Sequence, residues 1–212
     1  MPNKLASGFV LLSDVVPHIV QEIRYYSTYN FVGERVDGYE EPVALLTRDA
    51  ARALKTVSNE MMVMGYRLKV FDAYRPTDAV RHFILWAIED EDVRMKPYFY
   101  PDIDKQETFA RGYIAKQSSH SRGSAIDLTL LDMKTGKEVD MGGPFDFFSE
   151  VSHPDYRGIT KQQYENRMLL QSAMVRNGFE PYECEWWHFR LKDEPFPDTY
   201  FNFPVAQSSV KA

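Results

Sequence analysis

Helix-patterned and strand-patterned segments interleave along this chain without strict alternation. That order disfavours a regular series of βαβ units and points to an α+β architecture. One helix is expected from Thr47 as N-cap, through the apolar or small residues Ala50, Ala53, Leu54, Val57, Met61 and Met64, to Gly65. A second starts after Pro76-Thr77 and places Val80, Phe83, Ile84, Ala87 and Ile88 on one stripe, leaving Arg81, Glu89 and Asp90 for solvent. In a third, Thr160 and Gln163 have capping-box spacing, followed by Leu169, Leu170, Ala173 and Met174, with Gly178 at the end. Strand patterns fall at Ile19–Tyr25, Arg67–Phe71, Ala125–Leu130, Glu138–Met141 and Glu185–Leu191. Asp92–Lys116 reads as a long irregular connection of the kind that covers a site, and residues 205–212 as a frayed tail.

No Gly/Ser-rich linker, repeat or low-complexity run divides the 212 residues, so one domain over 1–212 is expected: a central, mainly antiparallel sheet flanked by helices. Thirty-one acidic against 25 basic residues give a net charge of −6, with no basic stripe for nucleic acid or an anionic membrane. The apolar run at residues 9–12 is too short for a signal-peptide core, and no run has membrane-spanning length. With Cys184 as the single cysteine, no internal disulfide framework is available, and a cytoplasmic protein is expected. A homo-oligomer stays open.

Two short segments carry the chemistry. Ser118-Ser119-His120-Ser121-Arg122-Gly123-Ser124-Ala125-Ile126-Asp127 offers an imidazole and a carboxylate, and Glu183-Cys184-Glu185-Trp186-Trp187-His188 offers a second imidazole with a spare glutamate three residues before it. Three N/O ligands with an open fourth position, beside a carboxylate that handles protons, make the inventory of a catalytic zinc site. Gly123 lets the backbone turn between a loop ligand and a strand ligand. Glu185 and His188 share a face on a helix but lie on opposite faces of a regular strand. Because Trp186, Trp187 and Phe189 favour a strand, convergence requires a bulge or a metal held at the strand's end. Each residue also has a plainer reading as a structural group. His18, His82 and His153 lack comparable neighbours and read as structural or surface residues, and Cys184 as a buried inert thiol.

The serine-rich His120 to Asp127 segment paired with Glu185-x-x-His188 resembles the zinc peptidases that group D-alanyl-D-alanine metallopeptidases with lysostaphin-type enzymes and the hedgehog domain. More closely, the chain resembles D-alanyl-D-alanine dipeptidases of the VanX type. The likeness runs through Ile23-Arg24-Tyr25, Asp37-Gly38-Tyr39-Glu40, Asp72-Ala73-Tyr74-Arg75-Pro76, Ser118 to Leu130, Phe145-Asp146-Phe147, Glu185 to His188, Asp193-Glu194-Pro195 and Phe203-Pro204.

The resemblance implies a hedgehog/D,D-peptidase-like fold, one Zn²⁺ on His120, Asp127 and His188, Glu185 as catalytic acid/base, and Arg75 at the reacting carbonyl. It further implies Asp146 for the substrate ammonium, Ser118 for the carboxylate and Tyr25 in the pocket wall, with the small molecule D-Ala-D-Ala as substrate. The plainer readings are an Arg75–Asp72 ion pair, a turn-capping Asp146, a loop hydroxyl at Ser118 and core packing for Tyr25. Two alternatives share the metal site: a D,D-carboxypeptidase or L,D-endopeptidase acting on peptidoglycan peptides, and a non-catalytic hedgehog-like zinc module.

Overall fold

Ala125–Leu130 is buried along its whole length, so the strand it forms must carry a layer on each face. The computed structural model describes residues 6–89 and 91–210. Within them the strands are β1 (Phe9–Leu11), β2 (Val20–Gln21), β3 (Leu45–Thr47), β4 (Tyr66–Asp72), β5 (Ala125–Asp132), β6 (Phe179–Tyr182) and β7 (Glu185–Leu191). The helices are α1 (Leu12–Val15), α2 (Arg48–Val63), α3 (Thr77–Ile88), α4 (Lys96–Phe99), α5 (Glu107–Ala110) and α6 (Lys161–Arg176). One sheet has the order β2-β4-β5-β7-β6; only β2 and β4 pair in parallel, so the arrangement is the mainly antiparallel α+β one expected. β1 and β3 form a separate antiparallel pair.

The two faces of this sheet differ in chemistry. Leu68, Val70, Ile126, Leu128 and Leu130 lie on one face by strand alternation, beneath α2 and α6, which pack on each other and on β4 and β6. Leu54, Val57 and Met61 of α2 and Leu170, Ala173 and Met174 of α6 are buried there. Asp127, Thr129 and His188 lie on the other face. An aromatic layer from α3 and the long loops covers part of that face: Phe83 meets Tyr25 and Phe31, and Phe145 stacks on Phe71 at 4.6 Å.

Several local expectations are corrected. The strand expected at Ile19–Tyr25 is cut to Val20–Gln21, because Arg24–Tyr26 wind into a 3₁₀ turn that buries the Tyr25 ring. Glu138–Met141 forms only an isolated bridge from Glu138 to Leu131. There the Asp140 carboxylate accepts from the Gly142 N–H and from Gln163 of α6, turning the chain off the sheet. The residues after Pro204 are not frayed: Val205 and Ala206 are buried, and the Val205 carbonyl accepts from the N–H groups of Glu40 and Glu41. Lys211 and Ala212, like Asp90 at the end of the second expected helix, lie outside the described residues. Thr47 sits at the N-cap of α2, but its hydroxyl is 2.7 Å from that of Ser124 and caps nothing. Ile88 of α3 is exposed, and Trp86 is buried in its place. Asp92–Lys116 contains α4 and α5 and is anchored by buried Phe99, Tyr100, Ile103 and Ile114; only its end, from Gly112 to Ala115, reaches the central cavity. Phe9–Leu11, Leu45–Thr47 and Phe179–Tyr182 are strands the pattern did not single out.

Candidate metal centre and active site

Asp127 and His188 are direct cross-strand partners on β5 and β7. Such partners point to the same face, so strand register alone brings these two side chains together. His120 arrives from a 3₁₀ turn, Ser119–Arg122, closed by Gly123 at φ +82°. A Cβ at Gly123 would lie 2.1 Å from the Phe9 ring, so packing as well as conformation demands glycine there. The His188 Nδ1 is 3.0 Å from Asp127 Oδ1 and 3.1 Å from His120 Nε2, which is 3.3 Å from Asp127 Oδ2.

This triangle fits a metal ion. A tetrahedron with arms of about 2.0–2.1 Å has edges near 3.3–3.4 Å, close to the three distances observed. The outer nitrogen of His120 fixes its tautomer: Nδ1 lies 2.6 Å from the Ala73 carbonyl, which only accepts, so that nitrogen carries the proton and Nε2 presents a lone pair. His188 Nε2 lies 3.3 Å from the Ser119 hydroxyl, available to orient the second ring in the same way. With His188 in the same tautomer, two imidazole lone pairs and a carboxylate converge without a donor among them, a set that a cation satisfies. Burial opposes charge on Asp127, yet His120 and His188 hold its carboxyl well below the usual range. Burial pushes the His188 imidazole down, toward the neutral form that ligates.

Glu185 opens β7, with its Oε2 3.9 Å from His188 Nδ1. The expected irregularity is present: Pro181 pairs with Phe189 while Tyr182 pairs with Glu185, so three residues of β7 bulge out and break the alternation between Glu185 and His188. Burial, and then the like charges of Asp127 and Asp146, push the Glu185 carboxyl far above its ordinary value. A second bulge, between Val70 and Asp72 of β4, sets Asp72 opposite Asp127. From there Asp72 accepts from Arg75 Nε at 2.9 Å and from the Tyr39 hydroxyl at 2.6 Å. The ion pair is therefore present, and it orients the guanidinium: Arg75 lies over the rings of Tyr25 and Phe83, with Nη2 3.6 Å from Asp127 Oδ2.

Asp146 is buried and takes φ +60°, the sole left-handed non-glycine among the described residues. Such a conformation costs an aspartate on the order of 1 kcal/mol. Its carboxylate accepts from the Tyr25 hydroxyl at 3.0 and 3.2 Å. Burial and the charge of Asp127 push its carboxyl up to about 8. Ser118, half-buried, accepts from the His120 N–H through its hydroxyl.

Every residue singled out above for a site role, namely His120, Asp127, His188, Glu185, Arg75, Asp146, Ser118 and Tyr25, lines one cavity of about 400 Å³. Its apolar wall includes Phe31, Val80, Phe83, Tyr113 and Phe148. The groups that sequence reasoning missed are the Ala73 carbonyl, Ser119 and Tyr39, which act on the site through partners far away in the chain. All three stand within strings quoted above, Asp37 to Glu40, Asp72 to Pro76 and Ser118 to Asp127, but nothing in those strings marked their roles. The other histidines lie outside the triad: His82 contacts Glu34 and Asp37 at the surface, and the His153 carbonyl serves Arg167. Cys184 is half-exposed, not buried.

The arrangement sets a His-Asp-His group able to hold one metal ion beside the Glu185 carboxylate, within an α+β sheet protein. A family model described as D-Ala-D-Ala dipeptidase matches residues 5–206. A D-alanyl-D-alanine dipeptidase of Enterococcus faecalis is 43% identical over 202 residues, 95% of this chain and 100% of the relative. Proteins of the same description from Enterococcus faecium and Streptomyces coelicolor are 44% identical over 198 residues (93% and 98% covered) and 40% over 202 (95% and 100%). The chain belongs to the D-alanyl-D-alanine dipeptidase family of metallopeptidases.

Proposed function

We propose that the chain hydrolyses D-alanyl-D-alanine to two molecules of D-alanine, with one Zn²⁺ held by His120, Asp127 and His188. The observation that carries this reading is the meeting of that triad, Glu185, Arg75 and the buried Asp146–Tyr25 pair in one cavity. When bound there, zinc supplies Lewis acidity toward a carbonyl and lowers the pKa of water. Glu185 takes a proton from the attacking water and passes it to the departing amine, so one carboxyl serves both steps. Arg75, fixed along one edge by Asp72, offers a permanent cation to the oxygen on which negative charge develops.

Asp146, hydrogen-bonded by Tyr25, holds the substrate ammonium, and Ser118 with neighbouring backbone N–H groups receives the carboxylate. The cavity's volume stands at the low end of the roughly 300–1,000 Å³ usual for small-molecule sites. A longer peptide would meet the Tyr113 and Phe148 wall or leave Asp146 without its counter-charge. The partner is thus a small dipeptide, and the reducing environment that a lone cysteine suits supports cytoplasmic action. Among the described residues no helix is long and apolar enough to cross a membrane.

The test compares hydrolysis of D-Ala-D-Ala, N-acetyl-D-Ala-D-Ala and a pentapeptide ending in D-Ala-D-Ala, alongside zinc analysis. Activity confined to the free dipeptide is expected. Equal rates on all three would replace the dipeptidase by a carboxypeptidase, and full zinc without hydrolysis would leave a non-catalytic zinc module.

A further inference from the structure

Arg167, on α6, is almost wholly buried, and among the described residues no carboxylate lies within ion-pair distance of it. Its three nitrogens instead donate to backbone carbonyls: Nε to Met141 at 2.6 Å, Nη2 to Val151 at 2.8 Å and Nη1 to His153 at 2.9 Å. Burial lowers its pKa to about 10, so it stays charged near neutrality. A buried cation with no counter-ion is an expensive way to satisfy three carbonyls. A planar fork, however, sets three acceptors at fixed angles, which neither lysine nor an apolar side chain does.

Those acceptors belong to both ends of one loop, 141–153. Between them the chain carries Phe145, packed between Phe71 and Trp187, and then Asp146 at φ +60°. A left-handed aspartate persists only where its surroundings over-determine it. Tyr25 restrains the Asp146 carboxylate from the cavity side, and Arg167 restrains the backbone on either side of it. Neighbours on α6 act in the same direction: Gln163 donates to the Asp140 carboxylate and Asn166 to its carbonyl.

We propose that Arg167 is a positioning residue for amine recognition: by pinning both ends of the 141–153 loop it holds the Asp146 carboxylate where the substrate ammonium meets it. This rests on Asp146 being the amine anchor. Arg167 touches neither the metal triad nor Glu185, so its loss acts on substrate capture more than on the chemical step.

The test measures kcat and KM for D-Ala-D-Ala, with zinc content and thermal midpoint, in Arg167→Lys, Arg167→Met, Asp146→Asn and the double variant Arg167→Lys/Asp146→Asn. Both Arg167 variants are expected to keep their zinc and to raise KM roughly 10- to 100-fold, with a smaller change in kcat. In the Asp146→Asn background, Arg167→Lys should raise KM no further, since its effect passes through that carboxylate. Leu54→Ala, a destabilising change on the opposite sheet face, should lower the midpoint without moving KM. If Arg167→Met does not fold, Arg167→Lys decides alone. Wild-type KM in folded Arg167→Lys, or an undiminished effect in the double variant, overturns the proposal. If Asp146→Asn itself leaves KM unchanged, the amine-anchor reading fails first and this inference falls with it.

Discussion

The two faces of the central sheet are built from the same strands and obey different rules. On the helical face, alternating Leu, Val and Ile side chains of β4 and β5 meet the apolar stripes of α2 and α6, and register matters there only because it keeps like against like. On the cavity face, Asp127, His188, Asp72 and Glu185 crowd together, two of them set there by bulges. Burial of charge on that side is offset where the groups pair: Asp72 with Arg75 and Tyr39, and Asp127 with His188. The first face supplies stability and the second spends part of it on geometry. Substitutions should therefore separate cleanly into those that unfold and those that disarm.

The largest expected effect is on the cavity face. His120→Ala or His188→Ala should abolish zinc retention and turnover together, checked by metal analysis of the purified protein; full metal content in both would refute the ligand set. Next, Glu185→Ala should keep zinc and the thermal midpoint while lowering kcat by about 10³-fold or more. Near-normal kcat would require another base. Arg75→Lys should cost about 10²-fold in kcat, because an ammonium cannot hold Asp72 along one edge and still face the cavity.

Leu54→Ala, fully buried on the helical face, sharpens the contrast from the other side. It should cost about 2–5 kcal/mol in denaturant unfolding and leave kcat of the folded fraction unchanged. A lost kcat there would mean that the two faces are coupled.

The smallest effect concerns pH. In metal-stripped protein Asp146 holds its proton up to about pH 8, against an ordinary 3.8. A raised carboxyl favours the fold below the unfolded value and loses that advantage as pH climbs toward the folded one. Asp146→Asn removes the titration and suits φ +60°, so its stability relative to wild type should be level below pH 4, rise between 4 and 8 and then flatten. The gain, on the order of a few kcal/mol at most, is readable from unfolding midpoints at several pH values. A difference that does not vary with pH would show Asp146 to be ionised throughout.

How much was legible follows the same division. α2, α3 and α6 could be read because a 3.6-residue stripe or a Thr160–Gln163 capping box is local information, and α6 begins as that box requires. Failures occur where distant partners overrule a local pattern. Ile19–Tyr25 has the composition of a strand, but Tyr25 is worth more turned into the aromatic layer. The tail after Pro204 looks polar and loose, yet Val205 finds Gly38, Glu40 and Glu41. Within the site, the ligand types and the spare glutamate were visible as residues. The contacts of the Ala73 carbonyl, Ser119 and Tyr39 were not, because a hydrogen bond across 47 or 69 positions leaves no mark on spacing.

By itself, then, the amino-acid order determined the three long helices, the main strands and an inventory of groups of the kinds that bind a metal and move protons. All of that is written in periodicities and residue types a few positions apart. Tertiary structure alone decided that Glu185 and His188 share a cavity despite their strand spacing, that Arg75 both pairs with Asp72 and faces the site, and that Asp146 sits left-handed beneath Tyr25. The reason is physical: bulges, cross-strand register and buried charge are set by free energies summed over segments far apart in the chain, and only the folded protein brings those segments together.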